Sequence, residues 1–179
     1  MKKAAAAILF GAFLFSGAGC SGLNGSGSSR SSLGTELKPT QRFTLMNLNN
    51  EAVSLDQLLS QHKAVLLNFW ATWCSFCIEE MPDLVKLQSR LESQGFTILG
   101  VDVGETAEQA GPFVKKMGLN FPIVLDGDNT VAQNYNLVGI PVSYLIGPDG
   151  KILGEYHGFS KKLVSDVEDS LKGLNQAKP

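Results

Sequence analysis

Two thiols separated by two residues, Cys74 and Cys77 in Trp73-Cys74-Ser75-Phe76-Cys77, are the side chains of this chain best suited to covalent chemistry. The residues before them, 64–70, are almost continuously apolar, the pattern of a central strand covered on both faces. The residues after them carry helical spacing. Cys74 thus falls where a strand gives way to a helix, and the unpaired N–H groups and dipole of a helix N-terminus stabilise a thiolate. A lowered pKa makes Cys74 the attacking sulfur and leaves Cys77 to close the ring and release the partner. Competing uses of the pair are weaker. A zinc site needs more ligands, there is no second Cys-x-x-Cys, and His62 and His157 are far apart in sequence. A purely structural bridge across so short a loop would constrain the unfolded chain little. No metal is expected, and no role is assigned to either histidine.

The helix after the thiols supplies a further candidate. Glu80, Leu84, Leu87 and Leu91 share one stripe, while Glu79, Asp83, Lys86 and Arg90 form a neighbouring polar stripe that reads as solvated. A carboxyl heading the buried stripe, one turn beyond Cys77, has its pKa raised and can exchange protons with that thiol. The alternative is a glutamate at the helix margin whose head reaches water. Trp70 reads as core, whereas Trp73, next to the nucleophile, reads as a cover for the site.

These residues must be positioned by a framework that the rest of the chain predicts. Residues 43–45 and 52–53 flank turn-forming asparagines and suggest a hairpin, and Ser54 can cap a brief helix through Leu59. The active helix spans 74–93 and stops at Gly95. A strand at 96–103, a helix at 106–117 ending at Gly118, a strand at 121–125 and a short helix at 128–135 follow. Strands at 142–146 and 152–157 flank Gly147-Pro148-Asp149-Gly150, an antiparallel hairpin, and Ser160 caps a last helix through about 174. This order implies an α/β domain with a mixed central sheet and helices on both faces.

Residues 1–20 are expected to be a secretory signal: Lys2 and Lys3 precede an apolar stretch too short to span a bilayer comfortably, and small residues lead to Cys20. They resemble a bacterial lipoprotein signal in which Cys20 is acylated, although Gly17 stands where that signal favours Leu. An ordinary cleaved signal with Cys20 incidental is the other reading. Residues 21–35 are rich in Ser and Gly and read as a flexible tether, leaving 36–179 as the folded domain. A net charge of −2 and a pI near 5.7 give no electrostatic reason to expect nucleic acid.

The segment Asn68-Phe69-Trp70-Ala71-Thr72-Trp73-Cys74, with Cys77, Glu80, Pro82, Phe121-Pro122 and Gly139-Ile140-Pro141, resembles the thioredoxin superfamily, most closely its exported TlpA/ResA-type thiol–disulfide oxidoreductases. The resemblance covers 36 to about 175, and residues 106–125 look like the extra helix and strand of that branch. It implies a thioredoxin-like fold, a redox disulfide between Cys74 and Cys77, a cis peptide bond before Pro141 that sets the Ile140 backbone beside that disulfide, and substrate contacts from Trp73, Phe76, Ile140 and Pro141. Two positions depart from the family. Val142 replaces a usual Thr, and Phe76 replaces a usual Pro, adding apolar surface that is expected to desolvate the Cys74 thiolate.

The resulting expectation is an exported, membrane-tethered oxidoreductase that reduces protein disulfides, with cytochrome c maturation and apocytochrome c the family's suggestion. It needs no bound cofactor but requires a membrane or extracytoplasmic electron donor. The absence of Lys, Arg or His between the cysteines, with Glu80 nearby, leans the couple toward reduction. The alternatives are a peroxiredoxin-like peroxidase, for which Thr72 is one residue too close to Cys74, and a metal-binding module without enzymatic activity.

Overall fold

A computed structural model describes residues 34–176. The expected signal sequence and Cys20, and nearly all of the expected tether, lie outside the described residues. Strands β1 (Thr44–Met46) and β2 (Ala52–Ser54) form the anticipated hairpin as a separate two-stranded sheet. Ser54 then caps α1 (Leu55–Gln61), its side chain accepting the Gln57 N–H.

The main sheet has five strands in the order β5-β4-β3-β6-β7. At its centre β3 (Ala64–Trp70) runs parallel to β4 (Phe96–Val103) and antiparallel to β6 (Val142–Ile146). Outside these lie β5 (Ile123–Asp126), parallel to β4, and β7 (Ile152–His157), antiparallel to β6. The strand expected at 121–125 begins two residues late. Pro122 has no N–H for a ladder; its carbonyl instead accepts the Gly100 N–H at 2.9 Å.

Every residue of β3 is buried, and its alternating side chains feed two cores. Leu66 and Trp70 pack with α2 (Ser75–Leu91) and α5 (Lys161–Gln176). Val65, Leu67 and Phe69 pack on the opposite face with α1 and α4 (Thr130–Asn134). The extra insertion is α3 (Ala107–Met117), which leads into β5 and sets Phe113 against Trp70 with ring centres 5.5 Å apart. Gly118 ends α3 at φ +64°, as its position suggested, because glycine reaches the left-handed region without a Cβ clash.

Several further boundaries differ from the sequence expectation; the short helix expected at 128–135, for example, is confined to Thr130–Asn134. The active helix starts at Ser75 with Cys74 as its cap, and its expected last residues tighten into a 3₁₀ turn, Glu92–Gln94, before Gly95 at φ +89°. Helix α5 runs two residues past 174.

Candidate active site

The site forms where β3 ends and α2 begins. Cys74 has extended backbone, and its Sγ accepts the Cys77 N–H at 3.2 Å, so the sulfur itself caps the helix. Cys74 and Cys77 are joined by a disulfide. The two sulfurs are not equivalent: Cys77 is fully buried, whereas Cys74 retains 6% exposure. Any sulfur arriving from solvent therefore meets Cys74 first.

The Ile140–Pro141 peptide bond is cis, just before β6, and the Ile140 carbonyl oxygen lies 3.6 Å from Cys74 Sγ. Trp73 is 69% exposed. It does not cap the sulfurs as a closed cover; with Val103, Ala132, Leu137 and Ile140 it lines an open groove of about 250 Å³. Phe76, in the first turn of α2, is 60% exposed. Most of its ring is therefore apolar surface presented outward.

Glu80 is buried, with Cys77, Leu84, Leu87 and Leu91 on the same face of α2. Burial pushes its carboxyl up from 4.5 to about 7, partly opposed by a hydrogen bond that Asn68 donates. Asn68 Nδ2 lies 2.8 Å from Glu80 Oε1 and 2.9 Å from Ser143 Oγ. Asn68 and Ser143 are register partners on β3 and β6, so the sheet itself sets this polar group beneath the helix.

Sequence reasoning quoted Asn68 and Thr72 only as parts of a motif, with Thr72 also weighed for a peroxidase, and missed Ser143, Glu105 and Asp102. Thr72 donates from both its backbone N–H and its hydroxyl to the Glu105 carboxylate, at 2.6 Å each. Asp102, near the end of β4, is fully buried. The available signal was a polar residue interrupting an apolar strand, Asn68 in 64–70 and Asp102 in 96–103. What each one touches depended on pairing that periodicity does not reveal.

A thioredoxin-like sheet with a helix-capping Cys-x-x-Cys disulfide and an adjoining cis-proline loop defines a thiol–disulfide oxidoreductase. Residues 37–154 match the AhpC/TSA family, and the chain belongs to that family, in the branch of the ResA-type thiol–disulfide oxidoreductases. It is 35% identical over 131 residues to the thiol-disulfide oxidoreductase ResA of Bacillus subtilis, covering 73% of this chain and 72% of that protein. A ResA of Bacillus cereus is 33% identical over 137 residues, covering 76% and 77%. Among solved structures, a thiol:disulfide interchange protein from Bacteroides sp. superposes with a TM-score of 0.68 at 32% identity, covering 82% of this chain and 94% of that one.

Proposed function

We propose that this oxidoreductase works outside the cytoplasm as a protein-disulfide reductase, held at a membrane through a lipid on Cys20. The observation that carries the reading is the unequal pair of cysteines, Cys74 with a residual 6% exposure and Cys77 with none, amid outward-facing apolar side chains. Among the described residues four large hydrophobic side chains are exposed, and Trp73, Phe76 and Val138 are three of them, all in the segments bearing Cys74 and Ile140. Apolar surface gathered around a reactive centre suits a polypeptide substrate better than a small thiol.

In the reduced enzyme the Cys74 thiolate attacks a substrate disulfide, forming a mixed disulfide and expelling one substrate thiolate. Cys77 then attacks Cys74 Sγ. The enzyme disulfide closes, the second substrate sulfur leaves, and two electrons have passed to the substrate. Cys77 must lose its proton to do this, and Glu80, three residues on and on the same buried face, is the base that receives it. The substrate backbone lies along Ile140 and Pro141, with a side chain in the groove beside Trp73. An extracytoplasmic dithiol donor restores the enzyme, and apocytochrome c, whose haem-attachment motif is itself a cysteine pair, is a substrate of suitable chemistry.

A peroxidase is less well supported. The Thr72 hydroxyl is engaged by Glu105, and the arginines among the described residues pair elsewhere, Arg42 with Asp56 and Arg90 with Glu168. A metal-binding module would need further ligands, and among the described residues no group of three or more His, Cys, Asp or Glu is disposed to hold an ion. Among those residues no helix is long and apolar enough to cross a membrane.

The test combines trapping with fractionation. Cys77→Ser, with Cys74 reduced, should accumulate mixed disulfides with a Cys-x-x-Cys-His peptide supplied in its disulfide form, and Cys74→Ser should neither trap nor turn over. Labelling of Cys77 before Cys74 by limiting iodoacetamide would reverse the roles. Cys20→Ser should move the chain from the membrane fraction to the soluble exported fraction; unchanged partitioning removes the lipid from the proposal.

A further inference from the structure

Among the described residues, Asp102 is the buried acid that the exchange chemistry does not use and whose oxygens lack a well-formed hydrogen bond. Neither of its carboxyl oxygens has a partner in hydrogen-bond geometry. Its neighbour is a second carboxyl, that of Glu105, itself buried and close enough for the two side chains to hydrogen-bond. Two ionised carboxylates in contact inside a protein repel strongly, and the only charge that acts on the Asp102 carboxyl is that of Glu105, with no cation to offset it. One proton between them resolves both problems, turning the orphaned acid into a hydrogen-bond donor.

We propose that protonated Asp102 donates to Glu105, and that the pair forms a clamp which holds the Thr72-Trp73-Cys74 segment in place for thiol exchange. Glu105 reaches that segment directly, accepting the Thr72 N–H on Oε2 and the Thr72 hydroxyl on Oε1. The next two residues are the exposed Trp73 and the helix-capping Cys74, so a shift at Thr72 is passed to the attacking sulfur. Both acids are positioning residues; neither touches the disulfide in the proposed chemistry. The clamp grips Thr72, which precedes Cys74 in the chain, whereas Glu80 follows Cys74 and is held by Asn68, so the two acids' hydrogen bonds are separate.

The ionisable groups around Asp102 allow it to act as the clamp's proton holder. Burial is the chief reason its carboxyl stands at about 8, followed by the charge and hydrogen bond of Glu105; the Glu105 backbone N–H opposes them more weakly. On β3 its register partner is Trp70, which does not ionise. On β5 Asp126 accepts the N–H groups of Val131 and Ala132. On α3 Glu108 lies on the exposed first turn, and on α2 Cys74 and Cys77 do not titrate while bridged. Loss of the Asp102 proton sets two negative charges side by side and loosens Glu105 from Thr72.

This inference rests on Cys74 being the exchanging sulfur, so one arm of its test needs no reactive thiol. In the oxidised Glu80→Gln protein, tryptophan fluorescence should show a transition centred near pH 8, reporting Trp70 and Trp73 beside the clamp, and adding Asp102→Asn should abolish it. In the reduced enzyme, Glu105→Gln and Asp102→Ala should each slow exchange about tenfold through misplacement of the sulfur. Asp102→Asn, which keeps an N–H donor toward Glu105, should restore most of the rate at pH 7 and remove the alkaline fall. Carboxyl NMR of the unmutated protein provides a check independent of any variant. A fluorescence transition that survives Asp102→Asn, an Asp102 carboxyl already ionised at neutral pH, or parental exchange in Glu105→Gln would each overturn the clamp. A failure of exchange alone, with the fluorescence result as expected, would count against the role of Cys74 instead.

Discussion

Asn68 Nδ2 donates to Glu80 Oε1 across 2.8 Å, tying the central strand to the helix that carries both cysteines. The bond is made where water is excluded, and it is the main effect that opposes the rise of the Glu80 pKa on burial. A carboxyl held near neutrality beside Cys77 can accept or return a proton at physiological pH, which an exposed glutamate at 4.5 does poorly.

The first prediction concerns stability. The Glu80 pKa is raised in the folded protein, to about 7 from 4.5. Below about pH 4.5 the group is protonated in both states and carries no penalty. As pH rises toward 7 the unfolded chain ionises first, and stability is lost until the folded group ionises too. Urea unfolding of the oxidised protein should show Glu80→Gln gaining on the parent between pH 5 and 8, by up to about 3 kcal/mol. Parallel pH profiles for the two proteins would show that Glu80 is not desolvated.

Removing the strand's donor should move Glu80 the other way from relaxation. Asn68→Ala deletes the hydrogen bond that lowers the Glu80 pKa, so its carboxyl should titrate above the parental value of about 7. Carbon-13 NMR of the Glu80 carboxyl reads this directly, and the inflection in the rate profile of thiol exchange should shift to alkaline pH with it. A midpoint that stays put or falls would mean Asn68 does not govern Glu80.

Phe76 should matter for partners more than for folding. Because its ring is 60% exposed, Phe76→Ser should change unfolding free energy by less than about 0.5 kcal/mol. It should raise KM for a protein disulfide while leaving the rate with a small aromatic disulfide near that of the parent. An equal loss with both substrates would assign Phe76 to the sulfur's environment instead of to recognition.

Gly100 tests the packing behind the site. A Cβ there would lie 2.6 Å from Ile123 Cδ1 and 3.0 Å from Trp70 Nε1. Gly100→Ala should therefore cost about 1–3 kcal/mol through overpacking and should alter the fluorescence of buried Trp70. Parental stability would show that the β4–β5 face yields more readily than its contacts suggest.

The amino-acid sequence by itself determined the fold class and the central pair of residues. Alternation and apolar runs act locally, so residues 64–70 declare a covered strand, Gly95 and Gly118 mark helix ends, and Cys74 falls at a helix start from pattern alone. The stripe of Glu80, Leu84, Leu87 and Leu91 likewise followed from helical period, and all four residues are buried. Tertiary structure decided what those residues touch. Asn68 meets Ser143 because β3 and β6 pair antiparallel in one register across 75 positions of chain, and a slip of one residue would send it to the other face. Thr72 meets Glu105 because β3 and β4 end side by side, so the loops that follow them come together. The outward turn of Phe76 was equally hidden: composition records that a ring is present, while its exposure depends on what packs around the first turn of α2. Local pattern places a side chain on an element, but its hydrogen-bond partner, its solvation and therefore its pKa are properties of the assembled sheet and helices.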